Sequence, residues 1–369
     1  MSKICHITTV HYALDTRIFH KECSSLNQSG FEVYLIAPGQ QDNKTMGINI
    51  VSIPSTKSRM KRIFVSQGYA LIRALQIKAN IYHFHDPELI ITGLLLKLLG
   101  KKVIYDVHED YRKHIKSKFW IPRLFRSMIA IIFGMVESLA SKTFDGLVVA
   151  TPYIRTIFDQ EHIAIVQNFP IITEFIKNET QVKLIPRENF VYVGSLSEIR
   201  GLKEMVEAIM ALPTEFEGKL MLAGTFQPND LKEKIRLEER KNRLEYTGFL
   251  GRPEVADLLD KALAGLVLLH PVPNYLDGYP VKMFEYMAAE IPVIASDFPL
   301  WRSIIEENNC GICVDPLDVN RISEAMIWMV DNPDKAREMG ENGRKAVIEK
   351  YNWERESKKL IALYEKLLK

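Results

Sequence analysis

The chain has 369 residues, 47% hydrophobic and 25% charged, with a formal net charge of +2. That length suits two ordinary domains, and the composition excludes a disordered or disulfide-stapled protein. No uninterrupted apolar run approaches the ~20 residues of a spanning helix, and Met1-Ser-Lys-Ile-Cys-His enters a strand pattern without the apolar core of a secretion signal. Four scattered cysteines (Cys5, Cys23, Cys310, Cys313) are expected to be reduced, as in a cytosolic protein. Cys310-Gly-Ile-Cys313 has redox-motif spacing, but it leads into a strand pattern rather than opening a helix.

Strand and helix patterns alternate from end to end, which predicts α/β architecture with parallel sheets covered by helices on both faces. Lys3–Val10 reads as an apolar strand. A loop over 11–16, a helix from about Arg17 to Ser29, the stop at Gly30 and a strand at Phe31–Ala37 follow. Further strands are expected at Ile81–Phe84, Lys102–Tyr105, Gly146–Ala150 and Ala164–Gln167, with a leucine-rich helix around Leu89–Leu99 and a short helix after Thr151-Pro152. Residues 171–187 read as a polar linker, after which the alternation restarts. Strands are expected at Phe190–Val193, Lys219–Ala223, Leu244–Phe249, Gly265–Leu269 and Gly311–Val314. Helices are expected at Leu202–Met210, from Gly251 to about Ala262, at Asp318–Asn332 and at Pro333–Lys350, with a final amphipathic one at Asn352–Leu368. Two such halves imply a cleft between domains, because open α/β sheets bind ligands at the carboxyl ends of their strands.

Charge is unevenly distributed. Residues 1–185 carry 23 lysines and arginines against 15 acids, a net of +8, whereas residues 186–369 carry 25 against 31, a net of −6. Two stretches of the basic half contain no acid: 43–85, with Lys57, Arg59, Lys61, Arg62, Arg73 and Lys78, and 111–136, with Arg112, Lys113, Lys116, Lys118, Arg123 and Arg126. A basic half suits nucleic acid or an anionic membrane surface. No zinc-ligand spacing, aromatic–glycine RNA motif or basic heptad helix accompanies it, so a membrane surface is the expected partner and nucleic acid is not.

The most informative stretch is Tyr279–Ser296. Pro280 suits the first turn of a helix, where its missing N–H costs nothing; that helix would run to about Ala289. Lys282 and Glu285, three apart, share one face near its positive end. Met283, Phe284, Met287 and Ala288 can bury the other side, and Pro292-Val-Ile-Ala-Ser reads as a short buried strand. The backbone N–H groups and Lys282 would take the phosphates of a nucleotide diphosphate, and Glu285 would take sugar hydroxyls. Gly194-Ser-Leu-Ser-Glu-Ile-Arg-Gly201 also lies between a strand and a helix. Its first glycine allows close backbone approach to a phosphate, and Arg200 adds fixed positive charge; the alternative is a glycine turn with a surface arginine.

These segments resemble the donor-binding elements of retaining GT-B glycosyltransferases of family 4. The resemblance covers nearly the whole chain and is most specific in 190–202 and 277–301. It implies two Rossmann-like domains facing across a cleft: 1–170 for the acceptor and 188–351 for the donor, with a final helix at 352–369 packing back on the first. It implies sugar transfer from a nucleotide-diphosphate sugar to an acceptor hydroxyl with retention, and no metal or other cofactor. Gly194, Ser195, Arg200, Lys282 and Glu285 would bind the donor, with Glu285 on the nucleotide ribose. Arg200, Lys282 and the helix N-terminus would stabilise the leaving group. The family usually carries an arginine just after the first glycine; Ser195 stands there, so the phosphate clamp rests on Arg200 and Lys282. The family's first carboxylate falls at Asp277, eight before Glu285, which either touches the donor sugar or forms an Asx turn before Gly278. His108, in Tyr105-Asp-Val-His-Glu-Asp-Tyr111, matches a histidine that points into the cleft and can hydrogen-bond a developing phosphate charge. Glu109 and Asp110 could cap the next helix.

The loop His11–Arg17 stands at the family's glycine-rich loop without paired glycines. It offers Asp15 and Arg17 to the acceptor site, or Asp15 as an N-cap. His83-Phe-His85-Asp86 looks metal-like, since alternation puts both histidines on one side of a strand, yet the family is metal-independent and a structural role is expected. Residues 113–139 interleave basic residues with Trp and Phe, which suits a segment in a bilayer interface or a buried interdomain helix beside a basic loop. The expected acceptor is anionic and membrane-held, such as a polyprenyl-diphosphate sugar in bacterial surface polysaccharide assembly. The expected location is cytoplasmic, peripheral on the inner face of the cell membrane. A nucleotide-sugar 2-epimerase and a non-catalytic partner protein share the architecture. A nicotinamide enzyme is argued against by the lack of Gly-x-Gly-x-x-Gly after the first strand.

Overall fold

The structure, a computed structural model, describes residues 1–56, 58, 62–118, 121–175, 187–233 and 242–369. Lys57, Arg59 and Lys61, the Phe119-Trp120 pair, and 176–186 of the expected linker lie outside the described residues. The chain forms two compact units, Met1–Asn168 with Trp353–Lys369, and Phe169–Asn352.

Among its described residues the first unit has eight strands: β1 (Lys3–Ile7), β2 (Glu32–Pro38), β3 (Asn43–Thr45), β4 (Ile48–Ile53), β5 (Ile81–Phe84), β6 (Lys102–Val107), β7 (Gly146–Val149) and β8 (Ile163–Ile165). Their order is β3-β4-β2-β1-β5-β6-β7-β8, all parallel except the edge strand β3. β1 is buried on both sides because it lies between β2 and β5, pairing Ile4 with both Val33 and Ile81. The strand order reverses between β1 and β5, and the register there sets His6 beside His83. Sequence reasoning placed nothing between 38 and 80, where the structure has β3, β4 and the helix Gln67–Ile77. The missed signal is Met46-Gly47: both residues have positive φ (50° and 82°), the two-residue hairpin turn that joins β3 to β4. The first expected helix opens as a π-helix, Thr16–Cys23, before becoming α-helical at Ser24–Gln28.

Among its described residues the second unit has six parallel strands: β9 (Asn189–Val193), β10 (Leu220–Ala223), β11 (Leu244–Gly248), β12 (Ala262–Val267), β13 (Val293–Ser296) and β14 (Gly311–Val314). Their order is β11-β10-β9-β12-β13-β14, with the reversal between β9 and β12. Alternation sends Phe190 and Tyr192 into the core on one face and Val191 into the core on the other. The helix expected to reach Ala262 spans Arg252–Leu259, and Ala262 opens β12. Within the expected linker, Phe175 is buried in this unit's core and Ile172 packs against it.

The final helix, Trp353–Leu368, returns to the first unit. Leu360 and Tyr364 are fully buried, Trp353 donates its indole N–H to Ser25 Oγ (2.8 Å), and Glu356 accepts from the Gln167 N–H (2.9 Å).

The segment 113–139 resolves into the end of helix Tyr111–Ser117 and most of helix Arg123–Ser141. The expectation that no helix could span a membrane needs correcting: Arg123–Ser141 has 19 residues and is long and apolar enough to do so. Its outer side is exposed at Leu124 (81%), Leu139 (72%) and Met135 (60%). Its inner stripe of Ala130, Gly134, Glu137 and Ser141 is buried, and Tyr105 on β6 donates its hydroxyl to Glu137 (2.8 Å).

Burial raises the Glu137 carboxyl to about 7, against the lowering effect of the Tyr105 hydrogen bond and Arg112. The folded state therefore binds this proton more tightly than the unfolded chain. The associated stability is present in full below the ordinary carboxylate pKa and is lost as pH rises through about 7. Glu137→Gln mimics the protonated form. It should stabilise the protein by on the order of 3 kcal/mol at pH 8 and by little at pH 4 in urea unfolding. Equal effects at the two pH values would rule out this titration as the cause.

Candidate active site

Both sheets place functional side chains at the carboxyl ends of strands next to the order reversal, where open α/β sheets bind ligands. In the second unit the helix Val281–Ala288 follows Pro280, and its Met283, Phe284, Tyr286 and Met287 are fully buried. The Tyr286 hydroxyl accepts from the Val193 N–H (2.9 Å) and so ties this helix to the end of β9, one residue before Gly194. Gly194 has φ +134°, and a Cβ there would lie 3.0 Å from Lys282 Nζ and 3.7 Å from Arg200 Nη1. Gly194, Arg200 and Lys282 therefore converge. Gly224 supports the turn: its φ is +143°, and a Cβ would sit 1.8 Å from the Gly194 carbonyl oxygen, so only glycine fits.

Lys282 Nζ lies 3.6 Å from the centroid of the Tyr192 ring and has no hydrogen-bond partner among the described residues. Burial and the Arg200 charge hold its ammonium well below the usual range, with Glu285 opposing them. Ser195 Oγ is likewise buried without a partner among the described residues, and Arg200 lies beside the phenols of Tyr192 and Tyr275. Two neighbouring basic side chains, one of them without a hydrogen-bond partner among the described residues, are an arrangement that an anion could complete.

Glu285 is 6% exposed, and its Oε1 accepts from Arg252, whose other guanidinium N–H groups grip Glu174. Burial alone would lower the Arg252 guanidinium, but Glu285 and Glu174 outweigh it and raise it above its usual value. Sequence reasoning missed Arg252. The signal was there in Gly251-Arg-Pro, a cation at a helix N-terminus, where the helix dipole disfavours it unless a carboxylate is close. Asp277 is half-buried as the C-cap of the short helix Pro273–Leu276, on a different segment from Glu285.

In the first unit Asp15 caps the π-helix, accepting from the Arg17 and Ile18 N–H groups (2.9 and 3.0 Å). Arg17 is not the loop cation expected from the sequence. Its guanidinium is buried against Asp106 Oδ1 (3.0 Å) and Glu22 Oε1 (3.0 Å) and donates to the Val166 carbonyl (3.1 Å). His108 follows β6, with Nε2 3.0 Å from Asp106 Oδ2, and lines a 440 Å³ pocket with His11, Arg62, Asp86, Glu88 and His114. Asp110 caps the next helix, accepting from the Arg112 and Lys113 N–H groups, while Glu109 pairs with His114 (2.8 Å).

His83 and His85 do lie together, with ring centroids 4.6 Å apart, but Asp86 turns away to accept from the Thr8 hydroxyl (2.9 Å) and the Thr9 N–H (2.6 Å). His6 and Glu22 complete a buried group with ligand-type atoms within 4.8 Å of one another. Cys310 and Cys313 are free thiols, both pushed up to about 12 by burial, which makes them poor nucleophiles for redox exchange.

Two Rossmann-like units with the last helix returned to the first make the GT-B architecture of nucleotide-sugar transferases. Residues 175–346 match the family model for Glycosyl transferases group 1, and residues 16–169 that for Glycosyltransferase Family 4. The chain is a glycosyltransferase and belongs to GT-B family 4. It is 22% identical to MMP alpha-(1->4)-mannosyltransferase of Mycolicibacterium hassiacum over 77% of this chain and 70% of that one. Sucrose-phosphate synthase from Thermosynechococcus elongatus superposes with a TM-score of 0.80 at 18% identity, covering 100% and 99% of the two chains. Anabaena HepE in complex with UDP-glucose does so with a TM-score of 0.74 at 11% identity, covering 99% and 100%.

Tyr286→Phe leaves the Val193 N–H without its acceptor at the base of the Gly194 turn. It should cost about 1–3 kcal/mol in denaturant unfolding. A loss within error would show that the hydroxyl does not tie the helix to β9.

Proposed function

We propose that the second unit binds a nucleotide-diphosphate sugar and that the enzyme transfers the sugar, with retention, to a hydroxyl of a lipid-linked anionic acceptor. The observation that carries this reading is Lys282, a half-buried lysine whose Nζ is buried without a hydrogen-bond partner among the described residues, in the first turn of a helix beside Arg200 and Gly194. A diphosphate supplies the missing negative charge. Arg200, Lys282 and the helix N-terminus then stabilise the charge that develops on the leaving nucleotide, as a divalent metal otherwise would, so no metal is required. Glu285 Oε1 is engaged by Arg252, which leaves Oε2 for the nucleotide ribose. Asp277 contacts the donor sugar, and His108 is the substrate-contacting group of the first unit.

The helix Arg123–Ser141 supports a membrane-held acceptor. A groove of about 880 Å³ beside it is lined by Arg112, Lys113, Lys116 and Lys142 and by the apolar Ile131 and Met135. Cations next to an apolar wall suit a phosphate headgroup with its hydrocarbon chain. The helix lies in the interface rather than crossing, because its inner stripe, including Glu137, is buried against the first unit. A polyprenyl-diphosphate-linked glycan of bacterial surface polysaccharide assembly fits that chemistry, with the protein peripheral on the cytoplasmic face.

The donor site is tested by thermal unfolding with UDP, GDP, ADP, dTDP and CMP, each with magnesium and with EDTA. One nucleotide at ~100 times its Kd should stabilise the protein by about 2.7 kcal/mol equally in both, and Lys282→Met should abolish the shift. No shift at millimolar concentration would overturn the reading. An isomerised nucleotide sugar released without acceptor would replace transfer by 2-epimerisation.

Vesicle flotation tests the surface. Binding should require anionic lipid, weaken in high salt and fall at least about tenfold when Arg112, Lys116 and Lys142 are changed to Gln. Equal binding to neutral vesicles would sink the electrostatic part of the proposal.

A further inference from the structure

Behind His108 the first unit buries a continuous line of hydrogen-bonding side chains. His108 Nε2 lies 3.0 Å from Asp106 Oδ2, and His85 Nδ1 lies 3.1 Å from the same oxygen. His85 Nε2 is 2.9 Å from His6 Nδ1. His6 Nε2 is 3.2 Å from the Tyr364 hydroxyl, which is 2.6 Å from His83 Nδ1. These groups come from the ends of β1, β5 and β6 and from the final helix, and all but His108 are buried.

The direction of the line follows from its members. Asp106 is held by two guanidinium N–H groups of Arg17. Burial pushes its carboxyl up, but Arg17 and His108 outweigh burial and keep it well below the usual range. Burial also lowers His6, His83 and His85, so these three rings are neutral and each carries one N–H and one lone pair. An ionised carboxylate only accepts. His85 must then donate through Nδ1 and accept at Nε2. His6 in turn donates through Nδ1 and accepts at Nε2 from the Tyr364 hydroxyl, whose oxygen accepts from His83 Nδ1. A single set of tautomers satisfies every contact of this line, and reversing His6, His83 or His85 breaks at least one of them; the 3.3 Å approach of His85 Nδ1 to His108 Nε2 is then not a hydrogen bond, since both N–H groups are given to Asp106.

We propose that Tyr364, His6 and His85 are positioning residues that orient His108, holding it as the Nε2–H tautomer with Nδ1 left for substrate. His85 matters most directly. Its Nδ1 is also 3.3 Å from His108 Nε2. If that nitrogen carried a lone pair, His108 could donate to His85 instead of Asp106 and turn away from its present orientation. The hydrogen imposed on His85 Nδ1 removes that choice. The hydroxyl of a helix at the far end of the chain thus helps to set the ring at the end of β6. The proposal rests on the reading of His108 as a substrate contact.

The test is long-range ¹H–¹⁵N NMR of the histidine-labelled full chain, with turnover measured alongside. His6, His83 and His85 should carry hydrogen on Nδ1 and His108 on Nε2. Tyr364→Phe keeps the buried ring, so it should fold. It should mix the tautomers of His6 and His85 and lower kcat at least about tenfold with the donor KM unchanged. Hydrogen on His85 Nε2 in the unaltered protein would overturn the relay whatever the turnover. So would ring-nitrogen shifts typical of metal ligation on adding stoichiometric zinc, which would make His6, Glu22, His83 and His85 a cation cage. Full activity in His108→Ala would instead overturn the role of His108, independently of the tautomers.

Discussion

The buried pair of Arg17 and Asp106 is the constraint on which the first unit depends. Removing two charges from water costs several kcal/mol per ion unless the geometry and the remaining hydrogen bonds compensate. Here compensation is spread over the fold. The guanidinium also meets Glu22 and the Val166 carbonyl, and the carboxylate also accepts from His85 and His108. The π-helix, β6 and the segment after β8 are joined at one point, and with the carboxylate fixed there the directions of the surrounding hydrogen bonds follow.

The second unit solves the opposite problem. Its strand ends leave positive charge incompletely answered. Arg200 and Lys282 crowd around a glycine turn whose lack of a side chain brings them within reach of one another. Arg252, by contrast, is neutralised by Glu285 and Glu174. One unit sets His108 against a buried carboxylate, and the other leaves the Lys282 nitrogen buried without a hydrogen-bond partner among the described residues. Both arrangements sit where the strand order reverses, so the same α/β topology supports two different electrostatic designs.

Much of this was legible in the sequence, and the losses have physical reasons. The helix Val281–Ala288, β13 and the Gly194 turn could be read because proline, glycine and apolar spacing are local signals. The final amphipathic helix could be read for the same reason. Arg17 was misjudged because its partner Asp106 is 89 residues away, and no local pattern distinguishes a buried arginine from one offered to solvent. His6 went unnoticed because a lone histidine in an apolar strand carries no sign of the register that pairs it with His83. The apolar run within Arg123–Ser141 was plainly visible, but its exposure depends on how little of the helix the rest of the unit covers.

The burial of the Lys282 nitrogen has a consequence for its protonation. Burial and the Arg200 charge disfavour the protonated form of Lys282, and an anion drawn in beside it would favour that form, so anion binding and proton affinity at this side chain would rise together.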